Sequence, residues 1–260
     1  MQDYQADNWK AFLANNGLKS FDDWWQREAD WFEEPNYRRG GWSGVSRLEL
    51  RATDGSTRVV FLKRQENHVA KTLLHPLRGV PTFVREMHNI LRLKEAGVAA
   101  LEPVYFAVRT INGAQRAVLV TESLDGFTPL DEISTGELEH SARRQLIKAV
   151  ATLVRRLHAK NLQHNCLYPK HIFVKQTGAG FEARLIDLEK TKRRLFERTA
   201  MVRDLDSLNR HTHNWSSADR LFFLHSYLHS ESLTSAVRNL WSQLLERRKK
   251  RYKAREDKNH

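Results

Sequence analysis

His164-Asn165-Cys166-Leu167-Tyr168-Pro169-Lys170-His171-Ile172-Phe173-Val174 is followed, beyond a turn at Thr177-Gly178-Ala179-Gly180, by Leu185-Ile186-Asp187-Leu188-Glu189. A long amphipathic pattern, Ser141 to Lys160, leads into the first stretch and puts Leu146, Ile147, Val150, Leu153, Val154 and Leu157 on one stripe. Ile172 to Lys175 and Arg184 to Asp187 alternate as short strands about the turn. The order is therefore a long helix, a polar loop, a strand, a turn and a second strand that ends on a carboxylate. The loop gathers His164, His171 and the chain's single cysteine, Cys166.

This order and spacing are those of a phosphoryl-transfer loop of the protein-kinase type. There, His-Arg-Asp-Leu-x-x-x-Asn is followed by a metal-binding Asp at the end of the next strand. His164, Leu167 and Asp187 fall on the pattern, but Cys166 stands where the loop Asp belongs and His171 where the Asn belongs. Phosphoryl transfer needs phosphates held, metal ions placed and an acceptor aimed in line, so the remaining parts are sought upstream. Gly40, Gly41 and Gly44, followed by Val45 and a strand, are candidates for a phosphate cover. Val59-Val60-Phe61-Leu62-Lys63 ends an apolar strand on the lysine expected to reach the α- and β-phosphates. Glu86, in the amphipathic helix predicted over Thr82 to Glu95 and ended by Gly97, is its expected partner, with Glu95 as runner-up. Val118 to Leu124, with Glu122 at its polar end, reads as the hinge that offers backbone groups to adenine.

Further strands are predicted over Arg47 to Leu50, Val104 to Thr110 and Ala117 to Glu122, the last two joined at Asn112-Gly113, a strong hairpin sequence. Beyond the loop, Asp204 to Arg210, Ser217 to Tyr227 and Leu233 to about Lys253 read as helices. The class is α+β: a two-lobe, protein-kinase-like fold with a small β-rich N-lobe and a larger helical C-lobe. The expected division is a helical N-terminal extension over 1–34 with indole anchors at Trp24, Trp25 and Trp31, an N-lobe over 35–124, a C-lobe over 125–245 and a basic tail over 246–260.

Composition sets outer bounds. The chain has 260 residues, 40% hydrophobic and 28% charged, with mean hydropathy −0.62. No apolar run approaches the roughly 18 residues of a transmembrane helix, and the polar start, Met1 to Lys10, is unlike a signal peptide. One cysteine allows no internal disulfide and points to a reducing compartment, most simply the cytoplasm. A nucleophilic Cys166 with His164 or His171 as base is one use of the thiol, and a half-buried loop residue is the plainer one. A net charge of +12 favours polyanionic partners. The charge is uneven: Asp22, Asp23, Glu28, Asp30, Glu33 and Glu34 make the start acidic, whereas Arg247 to Arg255 is strongly basic.

Taken together, the sequence resembles the bacterial lipopolysaccharide kinases, the Kdo/heptose kinase family, and most closely its InaA-like branch. Tyr168 and His171 keep the outline of that family's loop, with Phe173 displaced by one, and Ile186-Asp187-Leu188 matches directly. Arg203-Asp204-Leu205 with Leu208, Asp219-Arg220-Leu221, and Phe223 to Leu228 resemble its closing helices. The resemblance implies transfer of phosphate from ATP, with Mg²⁺, to an inner-core sugar of lipopolysaccharide at the cytoplasmic face of the inner membrane. It makes His171 the family's usual residue at that position, a metal or phosphate ligand beside Asp187 or a brace for the loop.

Cys166 departs from the family, whose catalytic Asp falls at that position. A thiol, with a pKa of about 8.5, replaces a carboxylate poorly, and His164 is the nearest group that could substitute. Loss of this Asp with Lys63 and Asp187 retained is also the pattern of a nucleotide-binding pseudokinase or a scaffold in envelope stress. At the C-terminus, Leu240, Trp241, Leu244, Leu245 and Tyr252 lie among cations, which suits an interfacial helix on an anionic membrane or a solvated helix. No aromatic-interleaved module supports nucleic acid as a partner. Arg38, Arg39, Lys192, Arg193 and Arg194 add positive charge suited to lipopolysaccharide core or another phosphorylated glycolipid.

Overall fold

The computed structural model describes residues 2–38, 40–52, 54–70, 79–230, 232 and 234–259, without the side chains of 199 and 252–259. Arg39 of the basic patch, Thr53 of the turn Thr53-Asp54-Gly55-Ser56 that the sequence places after the strand Arg47 to Leu50, Leu233 at the expected start of the last helix, and the side chains of Tyr252, Lys253 and Arg255 lie outside the described residues. The chain divides into two compact units: Met1–Arg92 with Leu101–Asp125, and Leu93–Ala100 with Gly126–His260.

The first unit is strand-rich. Its elements are β1 (Tyr4–Gln5), α1 (Lys10–Asn15), α2 (Phe21–Trp25), β2 (Trp31–Arg38), β3 (Gly41–Arg51), β4 (Thr57–Glu66), β5 (Val69–Ala70), β6 (Val80–Pro81), the start of α3 (Thr82–Glu95), β7 (Pro103–Ile111) and β8 (Ala114–Glu122). Six strands form one antiparallel sheet in the order β1-β7-β8-β4-β3-β2, while β5 and β6 pair separately. The expected hairpin forms at Asn112 (φ 51°) and Gly113 (φ 79°), the two left-handed positions its tight turn requires.

Alternation along the strands sends Leu48, Leu50, Val60, Leu62, Val118 and Val120 to one face of this sheet. Trp9, Leu13, Leu18, Phe21 and Trp24 cover that face. Here the structure departs from the uniformly helical start expected over 1–34. Tyr4–Gln5 is an edge strand paired with β7, the helices are short, and Trp31 already belongs to β2. The reason is packing: Trp9 and Trp24 are almost wholly buried, so the segment belongs to the core of the sheet. Ser20 and Asp23 close a capping box that fixes where α2 begins.

The second unit is helix-rich. It contains β9 (Thr128–Pro129), α4 (His140–Ala159), β10 (Leu162–Gln163), β11 (Ile172–Thr177), β12 (Gly180–Leu185), β13 (Lys192–Arg193), α5 (Glu197–His211), α6 (Ser217–Leu228) and α7 (Ser235–Asn259). The apolar stripe expected on α4 is buried as one face. β11 and β12 pair antiparallel from Ile172↔Leu185 to Thr177↔Gly180, and β10 pairs with β13. The apolar side of α7 is already covered: Val237, Leu240 and Leu244 are buried, and Leu245 is the exposed exception. A membrane-facing apolar stripe along this helix, as expected for the basic tail, is therefore not what the described residues present. Among them, no helix is long and apolar enough to cross a membrane.

Candidate active site

In the first unit the period of two puts Lys63 on the face opposite Leu62, together with Phe61 and Gln65. The carboxamide oxygen of the buried Gln65 accepts from the Thr82 hydroxyl (2.9 Å) and the Phe83 amide (3.1 Å), while its Nε2 donates to the His68 carbonyl (2.8 Å). β4 thus grips the first turn of α3. One turn further along the helix, Glu86 Oε1 lies 2.6 Å from Lys63 Nζ. Both side chains are largely shielded, at 17% and 5% exposure, so this is a desolvated pair and not a surface contact. Glu86, and not Glu95, is the partner.

Val45 faces Lys63 directly across the β3–β4 ladder. The glycines near it have local reasons to be small. A Cβ on Gly41 would stand 2.0 Å from the Glu66 carbonyl oxygen, and one on Gly44 would stand 2.6 Å from the Trp31 ring. Protein atoms fill the space beside both positions, which is a packing requirement distinct from the phosphate cover expected there. At the expected hinge, the Glu122 amide donates to the Glu102 carbonyl (2.9 Å) and the Ser123 amide to that of Val59 (3.0 Å). These two N–H groups are spent on the sheet.

In the second unit the loop between α4 and β11 is tied down by its own polar groups. His164 is fully buried, and its Nε2 faces the Ile186 carbonyl at 2.9 Å, so that nitrogen carries the proton. Its Nδ1 then accepts the Cys166 amide at 3.3 Å. Burial holds this imidazole below its ordinary value, hence neutral. With both nitrogens engaged, His164 has none to offer a reacting hydroxyl: it is a brace, contrary to the substitute base expected from sequence.

His171 is placed differently. Its Nδ1 donates to the Cys166 carbonyl (2.8 Å), which leaves the Nε2 lone pair 3.5 Å from Asp187 Oδ2. Asp187 lies in the left-handed region (φ 54°, ψ 58°), a conformation Asp tolerates at a cost of order 1–2 kcal/mol. The Ile186 amide donates to the His171 carbonyl (3.0 Å), and this tie delivers the strand end to the loop. A carboxylate oxygen and an imidazole lone pair therefore converge. Among the described residues no group of three or more His, Cys, Asp or Glu is placed to hold a metal, and this pair offers two donor atoms. Two protein ligands suit a magnesium ion, which keeps its remaining positions for water and substrate phosphate oxygens.

Cys166 is buried, at 7% exposure. Burial pushes its thiol above the usual value, and the nearby positive charge of Lys190 offsets this only in part. It is a neutral thiol at pH 7 and not a general base.

The sequence reading missed Asp204 as a functional group. Its carboxylate is fully buried and accepts the backbone amides of His164 (2.6 Å) and Asn165 (2.9 Å). His158 Nε2 approaches the same carboxylate at 3.3 Å, and the Tyr227 hydroxyl meets His158 Nδ1 at 2.9 Å. Burial raises the Tyr227 phenol, which stays a donor. A chain of polar groups from α6, α4 and α5 thus ends on the loop backbone. The clue in the sequence was an acidic residue beside the buried apolar positions Leu205 and Leu208.

The model of the lipopolysaccharide kinase (Kdo/WaaP) family matches residues 22–227. Protein InaA of Escherichia coli strain K12 is 36% identical over 203 residues, covering 76% of this chain and 91% of that protein. The lipopolysaccharide core heptose(I) kinase WaaP of Escherichia coli is 29% identical over 184 residues, covering 65% of this chain and 69% of that one. A solved structure of WaaP in complex with acyl carrier protein superposes with a TM-score of 0.68 at 22% identity, over 96% of this chain and 99% of that chain, and establishes a shared fold. This chain belongs to the lipopolysaccharide kinase (Kdo/WaaP) family.

Proposed function

We propose that this protein binds MgATP and transfers the γ-phosphoryl group to a hydroxyl of an inner-core sugar of lipopolysaccharide. Lys63, held by Glu86, takes the α- and β-phosphates, while Asp187 and His171 take the metal and its phosphate ligands. Magnesium supplies charge neutralisation of the phosphates when bound. In the step, the acceptor oxygen bonds phosphorus as the β–γ bridging P–O bond breaks, ADP leaves, and the hydroxyl proton is lost. The observation that carries the reading is the desolvated Lys63–Glu86 pair in one unit, together with the convergence of His171 and Asp187 in the other.

The test is transfer of labelled γ-phosphate from MgATP to rough lipopolysaccharide. Lys63→Ala and Asp187→Ala are each expected to lower transfer by about 10³-fold or more, the scale of losing a preorganised charge contact at a developing anion. Transfer unaltered in both variants would sink the reading.

A second reading is supported by the buried neutral thiol at Cys166. Under it, the protein binds nucleotide with little turnover and acts as a sensor or scaffold. Nucleotide affinity that depends on Lys63 and Asp187, with no transfer to any of several core acceptors, is the result that selects it.

Peripheral contact with an anionic membrane face belongs to the same proposal, but at a different place from the tail. Leu195 and Phe196 are 89% and 70% exposed between β13 and α5, flanked by the exposed Lys192, Arg193 and Arg198. Arg194 anchors the base of this tip, its Nε on Gln163 (2.6 Å) and its amide on the Asn161 carbonyl (2.7 Å). Each cation near such a surface contributes about 1 kcal/mol, and burying each large apolar side chain a further 1.5–3 kcal/mol or so. Leu195→Ser with Phe196→Ser is expected to weaken co-sedimentation with phosphatidylglycerol vesicles by about tenfold or more. Equal binding by parent and variant would remove this contact.

A further inference from the structure

α5, α6 and α7 leave between them a cavity of about 440 Å³, lined by Arg210, His211, His213, Arg220, Arg248 and Arg251 beside Asn209. Among the described residues no carboxylate lines it. The buried Asp206 already serves two of these cations and Arg247: Oδ2 accepts from Arg251 Nη2 and lies 3.7 Å from Arg210 Nε and 4.0 Å from Arg247 Nε. Arg220 ends its hydrogen bonds on neutral oxygens, those of Asn209, Thr212 and Trp215. Burial and the neighbouring Arg248 press its pKa downward, and the charge of Asp219 offsets them only in part. Arg251 Nη1 is buried and finds no hydrogen-bond partner among the described residues. A buried guanidinium donor left unmet is a group waiting for an acceptor.

The cavity is also joined to the loop. His211 donates from Nδ1 to the Ser207 carbonyl (2.8 Å), so its Nε2 remains for another contact. Its ring packs edge-on against Tyr168 at 4.6 Å, and Tyr168 in turn lies 5.5 Å from the His171 ring. The wall of the cavity is thus one aromatic ring removed from the residues assigned to phosphoryl transfer.

We infer that this cavity binds the phosphate group of a phosphorylated sugar, and that it is the subsite which seats the charged part of the acceptor. Arginine forks match phosphate oxygens in pairs, and the volume falls within the range of small-ligand sites. The acceptor role rests on the kinase reading, whereas binding of phosphate does not.

The experiment is thermal unfolding of the full chain in inorganic phosphate against sodium chloride at equal ionic strength. It compares the parent with Arg248→Ser combined with His213→Asn, both exposed positions. A ligand that binds only the folded state raises the melting temperature with its concentration. Phosphate should raise it in the parent beyond chloride and fail to do so in the double variant. Equal responses to the two salts, or equal phosphate responses in the two proteins, overturn the site.

Glucose 6-phosphate and phosphatidylglycerol vesicles then separate the sources of phosphate. A response to the sugar phosphate supports the subsite, and a response to vesicles alone overturns it in favour of a lipid surface. If rough lipopolysaccharide is phosphorylated, the double variant should raise the acceptor KM about tenfold, the loss of one good charge-assisted contact. An unshifted KM with phosphate binding lost overturns the acceptor role alone.

Discussion

Cys166→Asp is expected to raise phosphoryl transfer by about 10²–10⁴-fold, the usual contribution of a positioned general base. The backbone around the residue is set to receive a carboxylate. The amide of position 166 is held by His164 Nδ1, and its carbonyl by the Tyr168 amide (2.8 Å) and His171 Nδ1 (2.8 Å), none of which uses the side chain. The Lys190 ammonium lies near enough to favour a negative charge at this position, and it would become the counter-ion of the new Asp. The present thiol cannot do the work, because burial keeps it protonated near neutral pH. Single-turnover transfer from MgATP to rough lipopolysaccharide, parent against variant, reads the result. A variant no faster than a parent that already turns over well would mean that the reaction needs no base at this position. The loose character of phosphoryl transfer makes that outcome chemically sensible.

Asp204→Ala is expected to cost about 3–5 kcal/mol of stability, a drop in melting temperature on the order of 10 °C. The variant would strip the acceptor from the amides of His164 and Asn165 and from His158, all within a fully buried setting. Buried donors left unmet cost more than the bond itself contributed. Asp204→Asn keeps an oxygen but turns two donors of its own toward donors, so it should recover little. Thermal unfolding with hydrogen exchange at the 164 and 165 amides checks both changes. If Asp204→Ala melts within about 2 °C of the parent, the carboxylate does not hold the loop.

Much of the fold was legible because its elements obey strong local rules. α3 was expected over Thr82 to Glu95 and occupies those residues, since its apolar spacing and Gly97 define both ends. The α4 stripe and the Asn112-Gly113 hairpin were equally direct. The pairing of Lys63 with Glu86 followed from the order of parts along the chain. What lay hidden depended on tertiary neighbours. Glycines at 41 and 44 look like a phosphate loop until Glu66 and Trp31 are seen to fill the space beside them. His164 looks like a base until both nitrogens are counted. The role of Asp204 is long-range: its partners are about forty residues upstream, and the local pattern marks an acid among buried positions without saying what it holds. The start of the chain misled for a related reason, because indoles that suggest an amphipathic helix also serve to cap a sheet.

The grip of Gln65 on the first turn of α3 has a consequence for regulation. Swinging that helix away from β4 would break the Thr82 and Phe83 contacts and the Lys63–Glu86 pair together. Each neutral contact is worth about 1 kcal/mol net, and the unmet carboxamide would cost more. A helix bolted in this way makes a stiff lever: moving it means breaking the carboxamide contacts and the ion pair in one event.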